Sequence, residues 1–408
     1  MRGPRADGGR ATRGLPRAIV LAPTDAGLAV ARRLSQRGVR VSMLAESNRR
    51  WPLRTRWAEG MALGRLPEDR ERWLSELSAL GREGDGVLLP CTDAASELVA
   101  RERARIPSNL RSFEAPDGAH LELMDKARSA DLAAGLGIRV PWSLLISTPD
   151  DLERVAGKAG FPCLLKPVLS HRWRRVLGDY RVIQIRGPDE LRARARPALA
   201  AGLEILATEH IPGPDRNGDL ATVLRRSDGT YPLTFVSRKL REYPPGFGAA
   251  VLSEAVDAPE AVALTTRLLD AAGFVGVCGV ELKLHEQTGE RVFLEVNVRM
   301  VQGFALGDLT GTNASWRVYA TLADLPLEPQ PPVETGVRMV TASLEPRAIV
   351  TNLRERRVTP WELLAGYRGV RGLGGISITD PGPIAGLAGG ELRRAGRRLA
   401  RSRPFRRR

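Results

Sequence analysis

The run Phe293-Leu294-Glu295-Val296-Asn297-Val298-Arg299 concentrates the residue types that handle charge. Side chains alternate faces along a strand, so Glu295, Asn297 and Arg299 share one face while Val296 points to the other. Two hard oxygen ligands and a guanidinium in one row suit a magnesium ion and a polyphosphate. The run before it, Gly279-Val280-Glu281-Leu282-Lys283, offers Glu281. A hairpin through Thr288-Gly289 sets Glu281 beside that row, so that three oxygen side chains converge, as a magnesium site bridging phosphates requires. A solvated face of an edge hairpin would also alternate. It does not explain why Asn and Arg continue the row against an apolar opposite face.

Lysine is scarce. Of 62 basic residues only five are lysine: Lys126, Lys158, Lys166, Lys239 and Lys283. The chain uses arginine for generic positive charge, so a retained lysine marks a position that needs a compact ammonium. Lys166 ends an apolar run before Pro167, where it can reach phosphate oxygens. Lys126 lies in Met124-Asp125-Lys126. Taken alone, each reads equally as a surface group. Thr208-Glu209-His210-Ile211-Pro212-Gly213-Pro214-Asp215 is a strand breaking into a turn. Its extended backbone can read the edge of adenine, with Asp215 holding ribose hydroxyls; an ordinary turn has the same composition. No second His, Cys or acid stands at ligand spacing from His210.

These residues need elements to hold them. Ala18–Ala22, a helix over Leu28–Gln36 and Val39–Leu44 read as a βαβ opening and a parallel sheet. It has no G-x-G-x-x-G, so a dinucleotide site is not indicated. A helix over Arg70–Leu80, a strand at Gly86–Pro90 and a helix over Ala94–Arg105 complete a first unit ending near residue 115. A second unit starts with a helix near Leu121–Leu136 and a helix over Asp150–Ala159. Strands follow at Cys163–Lys166, Arg181–Ile185 and Leu203–Thr208, with a helix over Asp189–Ala201 before the last. A helix over Pro259–Ala272 then leads to strands Val277–Leu284 and Arg291–Val296, and this α+β stretch ends near residue 325. Beyond it lie a strand at Gly336–Ser343 and a helix near Pro360–Gly366. With 408 residues, two or three domains are expected.

In chain order, Met124-Asp125-Lys126, Leu165-Lys166-Pro167, Glu209-His210-Ile211-Pro212-Gly213, Gly279-Val280-Glu281 and Leu294–Arg299 resemble the ATP-grasp superfamily. Arg238-Lys239, Pro244-Pro245-Gly246-Phe247-Gly248 and Asp380-Pro381-Gly382-Pro383 look like its carboxylate–amine ligase branch, which includes D-aspartate ligases. The resemblance spans residues 18–325. It implies an α/β and α+β chain: a Rossmann-like parallel-sheet domain over 18–115, an ATP-grasp domain over 116–325 and a C-terminal subdomain over 326–390. It also implies roles. Lys126 and Lys166 contact nucleotide phosphates, Glu209 and Ile211 meet adenine through the backbone, and Asp215 holds ribose. Glu281, Glu295 and Asn297 bind Mg²⁺ or Mn²⁺. Arg299 stabilises the transferring phosphoryl group, and Lys239 assists the phosphates or the carboxylate. The implied reaction spends ATP to convert a small-molecule carboxylate into an acyl-phosphate and couples it to an amine. One departure stands out: where relatives carry a glycine-rich phosphate-covering loop, Ser170–Gly178 has one glycine and is rich in arginine.

Composition limits the alternatives. The net charge is +15, but residues 1–17 hold five Arg against one Asp, and residues 391–408 hold nine Arg against one Glu. The body between them is nearly neutral, so the charge sits in two tails that read as disordered ends. Nucleic-acid or membrane-surface contact through them is the lesser reading. A carboxylase-like ligase using bicarbonate is the other alternative. Three scattered cysteines, no leader signal and no ~20-residue apolar run point to the cytoplasm.

Overall fold

The computed structural model describes residues 14–115, 118–167 and 182–390. The Ser170–Gly178 loop, the tail from residue 391 and residues 1–13 lie outside them.

Short apolar runs build the first sheet. Strands β1 (Arg17–Leu21), β2 (Val41–Glu46), β3 (Glu59–Leu63), β4 (Gly86–Pro90) and β5 (Leu110–Arg111) are all parallel, in the order β3-β2-β1-β4-β5. Helices α1 (Asp25–Ser35), α2 (Arg70–Glu83) and α3 (Asp93–Arg101) connect them. Burial on both faces explains why β1 and β4 are continuous apolar runs. Strand β3, which carries no such run, was not expected; it is an exposed edge whose first three residues face solvent. Strand order reverses between β1 and β4, and the carboxyl ends there open a crevice in folds of this kind.

The single helix expected near Leu121–Leu136 is in fact two, α4 (Ala119–Met124) and α5 (Lys126–Gly135). Asp125 interrupts it: its carboxylate accepts from the N–H groups of Ala127 and Arg128 at 2.9 and 3.1 Å, a cap that starts a new helix. Lys126 thus becomes the first residue of α5.

The second sheet is antiparallel, in the order β6-β9-β7-β8. Its strands are β6 (Ser143–Ile146), β7 (Cys163–Pro167), β8 (Ile183–Ile185) and β9 (Ile205–Glu209). Helix α6 (Pro149–Lys158), fixed by a Thr148/Asp151 capping box, and the helix Pro188–Ala200 cover one face, burying Cys163, Leu165, Ile205 and Ala207. Alternation sends Leu164, Lys166 and Leu206 to the opposite face, where Leu164 is buried and Lys166 and Leu206 are half-buried.

The third sheet holds β10 (Gly218–Arg225), β11 (Leu233–Tyr243), β12 (Ala249–Val256), β13 (Gly276–Leu284), β14 (Arg291–Asn297), β15 (Arg338–Val340) and β16 (Val370–Gly372). The order is β14-β13-β10-β11-β12-β15-β16, antiparallel except for the last pair. Strands β10 to β12 fall where the sequence reading placed no element. They carry ions that resemble a polar loop, yet these ions are paired. Asp219, 1% exposed, accepts from Arg238 at 2.8 Å and also from Arg291. The segment after residue 326 adds β15 and β16 to this same sheet. No described helix is long and apolar enough to cross a membrane.

The Asp380-Pro381-Gly382-Pro383 run fastens the end of the described chain to the first sheet. Asp380, 3% exposed, accepts from the Thr55 hydroxyl and, at 3.3 Å, from the Arg56 N–H. A Cβ on Gly382 would stand 2.0 Å from the Arg54 carbonyl oxygen, so only glycine permits the approach. Replacing Asp380 with Ala leaves the buried Thr55 hydroxyl, which still accepts from the Trp57 N–H, with no acceptor for its proton. The expected loss is about 1–3 kcal/mol, read as a lower urea midpoint; an unshifted midpoint would remove this contact from the account.

Candidate functional site

Glu281 on β13 and Glu295 on β14 are direct partners across the ladder, and Gly279 stands opposite Asn297. A bulge at Leu294 brings Phe293 onto the same buried face as Val296 and Val298, leaving Glu295, Asn297 and Arg299 on the other. Like charges opposite one another on adjacent strands repel, at a cost of order 0.2–1 kcal/mol. Here the repulsion is met by lysines. Lys126 Nζ is 2.8 Å from Glu295 Oε2, and Lys239 Nζ is 3.0 Å from Glu281 Oε2. Asn297, 7% exposed, directs Nδ2 toward Glu281 Oε1 and Glu295 Oε1 at 3.4 Å each. Its Oδ1 accepts from Arg299 Nη2 at 2.7 Å. Thus Lys126, Lys239, Glu281, Glu295, Asn297 and Arg299 form one contiguous network.

Burial pushes the Glu295 carboxyl up. The Lys126 ammonium, the Asn297 hydrogen bond and the Lys166 charge outweigh this and hold it below the usual carboxylate value. For Lys126, whose side chain is largely exposed, desolvation by the nearby protein lowers the ammonium pKa, but the Glu295 carboxylate more than reverses the effect. Lys166 has no ion pair among the described residues. Burial and the neighbouring Lys126 charge pull its pKa down, with Glu295 and Glu281 offsetting only in part. An ammonium close to other charges but not neutralised by them is a ready partner for an incoming anion. Two cross-strand carboxylates with an amide between them fit a divalent cation of the magnesium type, which takes oxygen ligands. Among the described residues no three His, Cys, Asp or Glu side chains group as a metal site; this set has two acids and an amide.

The residues read as an adenine and ribose edge lie along the β9–β10 connection. The Glu209 carboxylate pairs with Arg139 Nη2 at 2.7 Å and accepts from the Trp142 N–H at 3.3 Å, while its own N–H donates to the Trp142 carbonyl. Ile211 is 4% exposed. Asp215 accepts from the Glu242 N–H at 3.1 Å, which draws it toward β11. Leu206 and Lys166 are ladder partners on the face of the second sheet that points away from α6.

Two residues were missed in the sequence. Glu242, 6% exposed, lies near Lys239 and has its carboxyl pushed by burial up to about 7, with Lys239 restraining the rise. Its signal was present as Lys239-Leu240-Arg241-Glu242, but without β11 it could not be placed. Asp93, the first residue of α3, accepts from Arg299 Nε at 2.7 Å. Its contact with Arg299 spans 206 positions and leaves no local signal.

No protein-family model and no curated protein matches the chain. Solved structures do. An ADP complex of N5-carboxyaminoimidazole ribonucleotide synthetase superposes with a TM-score of 0.63 at 16% identity, covering 84% of this chain and 86% of that one. An L-amino acid ligase from Bacillus licheniformis gives 0.57 at 19% identity, over 77% and 75%. A biotin carboxylase complex from Campylobacter jejuni gives 0.59 at 14% identity, over 79% and 74%. The chain has the ATP-grasp fold, preceded by a Rossmann-like parallel sheet.

The raised Glu242 carboxyl carries a consequence for stability. Below its ordinary value of 4.5 the group is protonated in both folded and unfolded chains. Between 4.5 and about 7 the folded chain keeps a proton that the unfolded chain releases, so stability falls as pH rises through that window. Urea unfolding from pH 4.5 to 8 should show wild type losing up to about 3 kcal/mol relative to Glu242→Gln, then running parallel to it. Curves parallel throughout would mean that Glu242 titrates normally.

Proposed function

We propose that this chain is an ATP-dependent ligase that phosphorylates a carboxylate and couples the acyl-phosphate to an amine, releasing ADP and phosphate. The observation that carries the reading is the Glu281–Glu295 pair, countered by Lys126 and Lys239 and joined through Asn297 to Arg299. Such an array suits a triphosphate and has little use elsewhere.

Lys166 and Lys126 hold the phosphates from the side of the second sheet and α5. Glu281, Glu295 and Asn297 would hold Mg²⁺ or Mn²⁺. When bound, that ion neutralises charge on the β- and γ-phosphate oxygens. Ile211 and Glu209 border the adenine, and Leu206 supplies apolar surface beneath it. Asp215 takes the ribose. The carboxylate attacks the γ-phosphorus, ADP leaves with the bonding electron pair, and the acid gains a leaving group it lacked. Arg299 stabilises the transferring phosphoryl group and then the oxyanion formed when the amine adds. Lys239 steadies Glu281 and faces the same charge. Positioning and fixed charge do the catalysis, and no side-chain nucleophile is required.

Incubating the protein with ATP, Mg²⁺, a panel of acids and hydroxylamine should trap an acyl-phosphate as a hydroxamate. ADP released without hydroxamate from any acid would contradict the ligase reading. Glu295→Gln should lower ADP formation by about 10²–10³-fold with an unchanged circular dichroism spectrum; undiminished turnover would misplace the site.

A further inference from the structure

The network does not end at Arg299. Its guanidinium spans two sheets, donating from Nη2 to Asn297 and from Nε to Asp93 Oδ1, both at 2.7 Å. Asp93 opens α3 directly after β4, beside the point where strand order reverses. The geometry is fixed from both sides. Thr92 caps α3 by accepting from the Ala95 N–H at 3.3 Å, and the Met300 N–H donates to the Pro90 carbonyl at 2.9 Å, tying the chain after β14 to the end of β4.

Asp93 differs from the other acids of this network. Both oxygens of Glu281 and of Glu295 are engaged, by Asn297 and a lysine in each case. Asp93 uses Oδ1 alone. Its side chain is 65% exposed, and Oδ2 has no partner among the described residues. Across the same switch point, Asp25 at the start of α1 also keeps one carboxylate oxygen without a hydrogen bond, the other accepting from the Ser343 hydroxyl at 2.6 Å. Apart from Glu209, Asp215 and Glu242 on the β9 to β11 side, the remaining charges at the cleft, Lys126, Lys166, Lys239 and Arg299, are positive. They favour a triphosphate and an acid, and they repel a cation. An amine that is protonated in solution therefore needs a carboxylate on its route to the acyl group; a neutral or anionic acceptor does not.

We propose that Asp93 Oδ2 receives the ammonium group of the acceptor, which is a primary-amine substrate, while Oδ1 holds Arg299 against the reacting centre. The ammonium becomes the nucleophile on losing one proton to solvent, and one side chain thereby fixes its distance from the cation that stabilises its product. The inference rests on the ligase reading and specifies its second substrate and the residue that selects it.

The test uses Asp93→Asn, which keeps an oxygen for Arg299 and removes the charge. Two nucleophiles are compared on whichever acid gives hydroxamate: hydroxylamine, neutral at pH 7, and a set of ammonium acceptors comprising glycine, ethanolamine and putrescine. The KM for the ammonium acceptor should rise roughly tenfold or more. Hydroxamate formation should fall less than about threefold, and Asp93→Glu should recover part of the loss. Equal losses with both nucleophiles would leave Asp93 as a holder of Arg299 alone and overturn the proposal. So would an unchanged KM, or a wild-type enzyme that makes hydroxamate yet accepts none of the ammonium compounds. Absence of hydroxamate in wild type is a different failure: it removes the ligase reading itself.

Discussion

Two glutamates face each other across neighbouring strands, and the rest of the molecule is arranged to make that tolerable. In an ordinary sheet such a pair is a defect. Here each acid has a lysine, and the lysines come from different places: Lys239 from the same sheet, two strands away, and Lys126 from the start of a helix created by the Asp125 cap. Neither lysine would reach its acid if the chain followed the simplest reading of its local pattern. The helix would run on through Asp125, and β11 would be a loop.

The same constraint explains the division of the sheets. The face of the third sheet that holds the acids is opposite an apolar core of Val280, Leu282, Phe293 and Val296, so the acids cannot be relieved by turning the strand over. Lys166 approaches from the second sheet and Asp93 from the first. The charges of the site thus come from all three sheets. Arg32 strengthens the assembly away from the site, donating to the Gly375 carbonyl at 2.9 Å, as does the Asp380 contact with Thr55. A site assembled from three sheets depends on such contacts, because a shift of one sheet separates charges that only proximity makes useful.

Much of this was legible before the structure. The metal-type row was visible because alternation holds from Glu295 to Arg299, past the bulge at Leu294, and because Asn and Arg are poor choices for a merely solvated edge. The lysine positions were visible because the chain otherwise prefers arginine. What could not be read were β10, β11 and β12. Their buried Asp219, Arg241 and Glu242, with the half-buried Arg238, suppress the apolar signal that marks a strand, and the pairing that compensates burial involves residues far apart in sequence, such as Asp219 with Arg291. The break at Asp125 was hidden for the opposite reason: the flanking sequence keeps helical periodicity on both sides. Asp93 left no local signal, since its contact with Arg299 spans 206 positions.

The central claim is that Glu281, Glu295 and Asn297 hold a divalent cation together with a nucleotide. Electron paramagnetic resonance of Mn²⁺ tests it without any knowledge of the acid or amine. Free Mn²⁺ should disappear stoichiometrically when protein and a non-hydrolysable ATP analogue are both present, and this should fail when Glu281 and Glu295 are both changed to Gln. Equal Mn²⁺ uptake by the double variant would contradict the account, because the cation would then be held by the nucleotide or by another part of the chain.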